Sequence, residues 1–264
     1  MNNKKIGIID SGVGGLTVVQ KLRENYPSED ILYLGDNINV PYGNKSEEEL
    51  YRLSKNIIDY LMEEDVKLIG VACNTISSIV EKYFKDYPVA IISIIDPVSH
   101  YVGQSDIKEV GLLGTIFTIN SGIYNEKIAE INEDINITPE GCPTLAKVID
   151  EDEYSQIEIE NIVDMHLKNI EMKNNKVEDI ILGCTHYPII KDIFMERGKN
   201  LNFIDPAKEQ VSYIGRLLEK EEIFKDKSTR GRLDIVTSGE LEIYEKISKK
   251  LNIDYDSIGK IILE

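Results

Sequence analysis

Short apolar runs alternate with stretches of helical length along nearly the whole chain. Residues 6–9 predict a strand and 16–23 a helix. A second strand is predicted over 31–34, ending in Gly35-Asp36. After a Pro41-Tyr42-Gly43 turn comes a helix from about 46 to 62, opened by Ser46 and Glu49 in a capping-box pattern. Residues 68–72 read as the next strand, 76–84 as a helix and 89–92 as a short strand. Strands alternating with helices of these lengths imply βαβ units and a parallel sheet, an α/β fold.

After Pro97 the pattern restarts. Val110-Gly111-Leu112-Leu113-Gly114 is similar to Ile6-Gly7-Ile8-Ile9-Asp10, and 179–184 is similar to 67–73. This faint internal duplication predicts two similar α/β lobes with mainly parallel sheets. The tail, with an apolar run at 233–236 and a helix near 241–251, is expected to return to the first lobe. Asp96-Pro97 and Asp205-Pro206 read as turns, which divides the chain into 1–97 plus 207–264 and 98–206.

Composition narrows the function. At 264 residues and 42% hydrophobic content the chain has ample material for globular cores. Its net charge of −17 repels polyanions at long range, which argues against nucleic-acid partners. Acidic patches such as Glu47-Glu48-Glu49 read as solvated helix faces. The three cysteines, Cys73, Cys142 and Cys184, show no C-x-x-C spacing, against both a disulfide framework and a thiol-rich zinc site. The apolar stretch near the start is too short for a signal peptide, and no segment approaches a membrane span. A reducing, cytoplasmic setting is expected.

Two of these cysteines sit in matching frames. Cys73 ends the run Leu68-Ile69-Gly70-Val71-Ala72 and precedes Asn74-Thr75; Cys184 ends Ile180-Ile181-Leu182-Gly183 and precedes Thr185-His186. Each frame delivers a thiol and hydrogen-bonding side chains to the carboxyl end of a strand, where open α/β sheets bind ligands. A single buried cysteine is usually a small hydrophobe. Two opposed thiols suit a reaction needing an exchangeable proton carrier on each face of the substrate, which is racemisation. His186, two residues past Cys184, would point the same way in extended backbone and serve as its proton partner. Zinc held by Cys73, Cys184 and His186 is an alternative, although the spacing matches no metal motif. Asp10-Ser11-Gly12-Val13-Gly14-Gly15 follows the first strand and opens a helix, a setting for backbone approach to an anionic ligand. Read structurally, Asp10 simply caps that helix. The segments 6–17, 40–44, 72–78, 114–122 and 183–188 contain no lysine or arginine. A carboxylate gripped by them would meet N–H groups, hydroxyls and Asn74 rather than cations, and no lysine there is available to pyridoxal phosphate.

These segments, with Asp36, Gly114-Thr115, Thr118, Cys142-Pro143 and Tyr187-Pro188, resemble the glutamate racemases of the cofactor-independent aspartate/glutamate racemase family, from about residue 6 to 207. The resemblance implies interconversion of L- and D-glutamate for peptidoglycan synthesis, with no cofactor and no metal, and two α/β lobes with the active site in the cleft between them. It makes Cys73 and Cys184 the two acid/bases, with Asp10 supporting Cys73 and His186 supporting Cys184. Ser11, Pro41, Tyr42, Gly43, Asn74, Thr75, Thr118 and Thr185, with Asp10 and His186, would hold the substrate. Where the family pattern has a glutamate after Cys142-Pro143, this chain has Asp150, with Glu151 next; Asp150 is the candidate auxiliary acid. Asp96 also replaces a common glutamate. The partner is the small molecule glutamate, with no nucleic acid and no membrane, and a homodimer is an allowed assembly. With five residues ahead of the first strand, the chain is expected to lack the N-terminal extension through which some members respond to a cell-wall precursor. The rival readings are an aspartate or broad-specificity racemase and a non-catalytic amino-acid-binding protein.

Overall fold

In the computed structural model, which describes residues 3–151, 154–225 and 229–263, the apolar runs become the strands of two parallel sheets. The first half of the chain supplies β1 (Ile6–Asp10), α1 (Leu16–Asn25), β2 (Ile31–Gly35), α2 (Glu47–Glu63), β3 (Leu68–Val71), α3 (Asn74–Tyr83), β4 (Ala90–Ser93) and α4 (Ile95–Gly103). Then follow β5 (Glu109–Gly114), α5 (Ile116–Ser121), α6 (Ile123–Ala129), β6 (Asn136–Gly141), α7 (Leu145–Glu151) and α8 (Gln156–Lys173). β7 (Asp179–Gly183), α9 (Lys191–Arg197), β8 (Asn202–Ile204) and α10 (Pro206–Lys220) come next. The chain ends with β9 (Leu233–Thr237), α11 (Leu241–Lys250) and β10 (Ser257–Lys260).

One sheet runs β10-β9-β2-β1-β3-β4 and the other β6-β5-β7-β8. The order β2-β1-β3-β4 thus repeats as β6-β5-β7-β8, the architectural form of the repeat seen in the sequence. All five residues of β1, and all five of β2, are buried, because helices cover both faces of a parallel sheet. The α2 capping box forms: Ser46 Oγ accepts from Glu49 N–H at 3.3 Å, and Glu49 Oε2 accepts from Ser46 N–H at 3.1 Å.

Both Asp-Pro pairs start helices instead of making turns. Asp96 and Pro97 lie in the first turn of α4, and Asp205 caps α10 by accepting from Ala207 N–H at 3.0 Å, with Pro206 following. Proline fits there because the first-turn N–H groups have no partner within the helix. α10 then fixes the first sheet: Gln210 Nε2 donates to Val71 O at 2.9 Å and Ile92 O at 3.0 Å, at the ends of β3 and β4. Between the halves, Lys127 of α6 pairs with Glu81 of α3 and stands 3.7 Å from Asp96 of α4. No helix among the described residues is long and apolar enough to cross a membrane.

Candidate active site

The carboxyl ends of β1, β3, β5 and β7 converge on a cavity of about 160 Å³ between the two sheets. Cys73 and Cys184 both line it, and both are 5% exposed. Of the other residues singled out in the sequence, Ser11, Pro41, Tyr42, Gly43, Asn74 and Thr75 line the wall from the first half. Thr185, His186 and Asp150 line it from the second. Asp10 and Thr118 stand behind the wall and act on residues that form it.

Cys73 follows β3 and caps α3. Its Sγ lies 3.5 Å from Ser11 Oγ. Burial pushes the thiol up to about 12, and the charge of Asp10 adds to this against the opposing help of Ser11 and the Ile76 N–H. Asp10 is itself fully buried, accepting from Gly12 N–H at 2.9 Å and from Thr185 Oγ1 at 3.0 Å. Burial raises its carboxyl to about 6, although His186 and both hydrogen bonds pull the other way.

Cys184 follows β7, and its Sγ stands 3.7 Å from His186 Nδ1. The backbone between them is a turn, not the extended chain expected: His186 has helical angles and Tyr187 N–H donates to Cys184 O at 3.1 Å. The turn brings the ring back toward the sulfur. On the far side of the ring, Nε2 lies 2.9 Å from Asp150 Oδ1, an ion pair rather than an aligned hydrogen bond. Burial alone pushes the His186 imidazole down, but Asp150 and Cys184 together hold it well above the ordinary histidine range. The side chain of Glu151 lies outside the described residues.

The glycine-rich turn after β1 packs closely against the second half of the chain. A Cβ on Gly14 would come within 2.4 Å of Thr185 Oγ1 and 2.7 Å of His186 Nδ1, so Gly14 lets the two halves meet. Of that turn only Ser11 reaches the cavity wall. Gly43 likewise allows close approach, since a Cβ there would lie 2.7 Å from Thr115 Cβ. Thr115 also belongs to the wall and bonds Thr75 Oγ1 at 3.0 Å and Thr118 Oγ1 at 3.0 Å. Tyr42 OH donates to Asp36 Oδ2 at 2.6 Å, and Asp36 also accepts from Asn39 and Ser238.

The cation-free cavity expected from the motif segments is corrected by Lys147, which with Ala146 brings α7 into the wall. Lys147 lies one helical turn before Asp150 on α7, and the fold lays this helix over the sheet edge. Cys142 is buried beside this region and raised to about 12, chiefly by burial. Among the described residues, no group of three or more His, Cys, Asp and Glu side chains is arranged to hold a metal ion.

Two parallel α/β halves, each ending a central strand in a thiol that faces a shared cavity, define a class of two-thiol cleft proteins. The chain belongs to the Asp/Glu/hydantoin racemase family, whose model matches residues 6–214. It is 34% identical over 262 residues to glutamate racemase 3 of Caldanaerobacter subterraneus subsp. tengcongensis, covering 98% of this chain and 90% of that protein. The crystal structure of glutamate racemase isoform RacE1 from Bacillus anthracis superposes with a TM-score of 0.92 at 27% identity, covering 100% of this chain and 99% of the other. That of the Francisella tularensis glutamate racemase in complex with D-glutamate gives 0.89 at 29% identity, with the same coverage.

Proposed function

We propose that this chain is an isomerase that interconverts L- and D-glutamate by two-base proton transfer and thereby supplies D-glutamate for peptidoglycan. The observation that carries the reading is the presence of Cys73 and Cys184 in one small cavity, in the fold of the glutamate racemases. In one direction a Cys184 thiolate, beside the His186 imidazolium, takes the α-proton while the Cys73 thiol returns its own proton to the opposite face. In the other direction the roles exchange. Burial and Asp10 hold Cys73 protonated at rest; the ammonium of a bound amino acid is the cation that relieves them. Ser11, Tyr42, Gly43, Asn74, Thr75 and Thr185 are proposed to hold the substrate, with Pro41 shaping the wall and Thr118 bracing Thr75 and Thr115 from behind it. Asp150 is the proposed auxiliary acid through its contact with His186.

The test is to follow L-glutamate by circular dichroism in heavy water. The signal should decay to zero, with deuterium at the α-carbon of the product, and Cys73→Ser or Cys184→Ser should each slow turnover by about 10²–10⁴. Full activity in either variant contradicts the two-base mechanism, and equal kcat/KM for aspartate contradicts the choice of substrate. The same proposal includes lobes of 1–97 plus 207–264 and 98–206, supported by how the strands divide between the sheets. It also includes a cytoplasmic location, supported by the free Cys73, Cys142 and Cys184 thiols, and a homodimer, to be tested by light scattering.

A further inference from the structure

Asn74 opens α3 in the cavity wall and is 2% exposed. Its two polar ends are in unlike situations. Oδ1 accepts a hydrogen bond of 2.7 Å from Tyr124 OH, whereas Nδ2 is buried without a hydrogen-bond partner among the described residues. Leaving a buried donor unpaired is unfavourable, so an orphan amide in a cavity wall points to an acceptor that arrives with the ligand.

Tyr124 comes from α6, in the half built on the second sheet, and is fully buried. Its hydroxyl decides which end of the amide is left unpaired. In the opposite orientation Nδ2 would donate to the tyrosine oxygen, the phenolic proton would be left without its acceptor, and Oδ1 would face a carboxylate and repel it. In the observed orientation the phenol donates and the NH₂ group is the end left unpaired. Burial, with Asp96 and Cys184 adding to it, raises the phenol far above its ordinary range, so it remains a donor at any working pH.

We infer that Tyr124 is a positioning residue whose hydroxyl locks the Asn74 amide with Nδ2 toward a carboxylate of the bound amino acid. The identity of that carboxylate rests on the glutamate racemase reading; the locked amide itself does not. Because Tyr124 and Asn74 belong to different halves, the donor is aligned only where the halves meet. The contact is made already in the bound substrate; the γ-carboxylate keeps its charge when the α-proton leaves, whereas the α-carboxylate takes up part of the electron pair left on the α-carbon. Its loss therefore shows chiefly in KM, with a smaller fall in kcat where the carboxylate is the α one.

The experiment compares Tyr124→Phe, Asn74→Ala and the double variant in L-glutamate racemisation, with thermal melting alongside. Tyr124→Phe should raise KM about 10-fold, as expected for a misdirected hydrogen bond to a charged group, with kcat within about threefold of wild type. The pH profile of kcat/KM should keep its shape, and the double variant should be no worse than Asn74→Ala alone. A tyrosine that merely packs would lower the melting temperature and leave KM untouched. A KM within twofold of wild type, or effects that multiply in the double variant, overturns the inference. If Tyr124→Phe fails to fold, the intact chain is read by NMR: the Asn74 Nδ2H₂ signals should shift on titration with D-glutamate, and no shift at saturation overturns it. If wild type does not racemise glutamate, the functional proposal falls, and the lock is read in ligand-free protein. There Tyr124→Phe must move the Asn74 Nδ2H₂ signals, and unmoved signals overturn it.

Discussion

Asp10 is a carboxyl held where its charge is unfavourable, and that sets a pH dependence of stability. An unfolded aspartate releases its proton near the ordinary value of 3.8, whereas folded Asp10 holds it to about 6. Between those values the folded state binds the extra proton, so stability falls as pH rises through that window and stays lower above it. Asp10→Asn should therefore stabilise the protein at pH 7.5 by up to about 3 kcal/mol while changing little near pH 4. Urea melts at the two pH values check this, and equal gains at both would remove burial of charge as the cause. The second residue-scale prediction concerns His186. Asp150 favours its imidazolium, which stands 3.7 Å from Cys184 Sγ, whereas Cys73 has Asp10 for a neighbour and is pushed up. Iodoacetamide at neutral pH should therefore label Cys184 before Cys73. Asp150→Asn removes the negative charge, so His186 should lose its proton at lower pH by NMR titration and the labelling gap should narrow. An unmoved histidine titration would show that Asp150 is a spectator.

At the scale of elements, what was legible in the sequence follows from burial. Central strands such as β1, β3, β5 and β7 read as unbroken apolar runs because helices cover both faces. β6, β8 and β10 lie on sheet edges, partly exposed, and carry no such run; β6 even contains Pro139, which an edge tolerates. The site divides in the same way. Cys73 and Cys184 were readable because they end visible strands, while Tyr124 and Lys147 matter only through neighbours distant in sequence. One buried pair was equally invisible: Lys67, before β3, meets Glu29, before β2, with both side chains almost fully buried. Lys67 Nζ also donates to Ile223 O at 2.9 Å, and Glu29 Oε1 accepts from Lys225 N–H at 2.8 Å. The pair clamps the end of the first sheet farthest from the thiols. Lys67→Met leaves Glu29 buried and unpaired and should destabilise by about 3–5 kcal/mol, with Lys67→Met/Glu29→Met recovering most of that. Activity per folded molecule should not change. Chemical denaturation decides it: equal losses in the single and double variants would mean that packing, not charge, is at stake.

For the whole molecule the question is how a chain of net charge −17 admits an anion. Glutamate at neutral pH carries two carboxylates and one ammonium, so the global field repels it at long range. Lys147 is the only lysine or arginine in the described cavity wall, and it is exposed on α7. Salt screens both fields, with opposite consequences. Weakening the global repulsion raises kcat/KM, and weakening the attraction of Lys147 lowers it. Wild type should therefore show a shallow dependence on ionic strength, the two effects partly cancelling. Lys147→Met removes the attractive part, so kcat/KM at low salt should fall by about 3–10-fold, and added salt should then raise it steeply. The rise should stop short of wild type, because short-range contact is lost with the charge. Initial rates across a salt series, with kcat and KM separated, make the measurement. A Lys147→Met enzyme whose kcat/KM and salt dependence both match wild type would leave α7 as a wall without an electrostatic role.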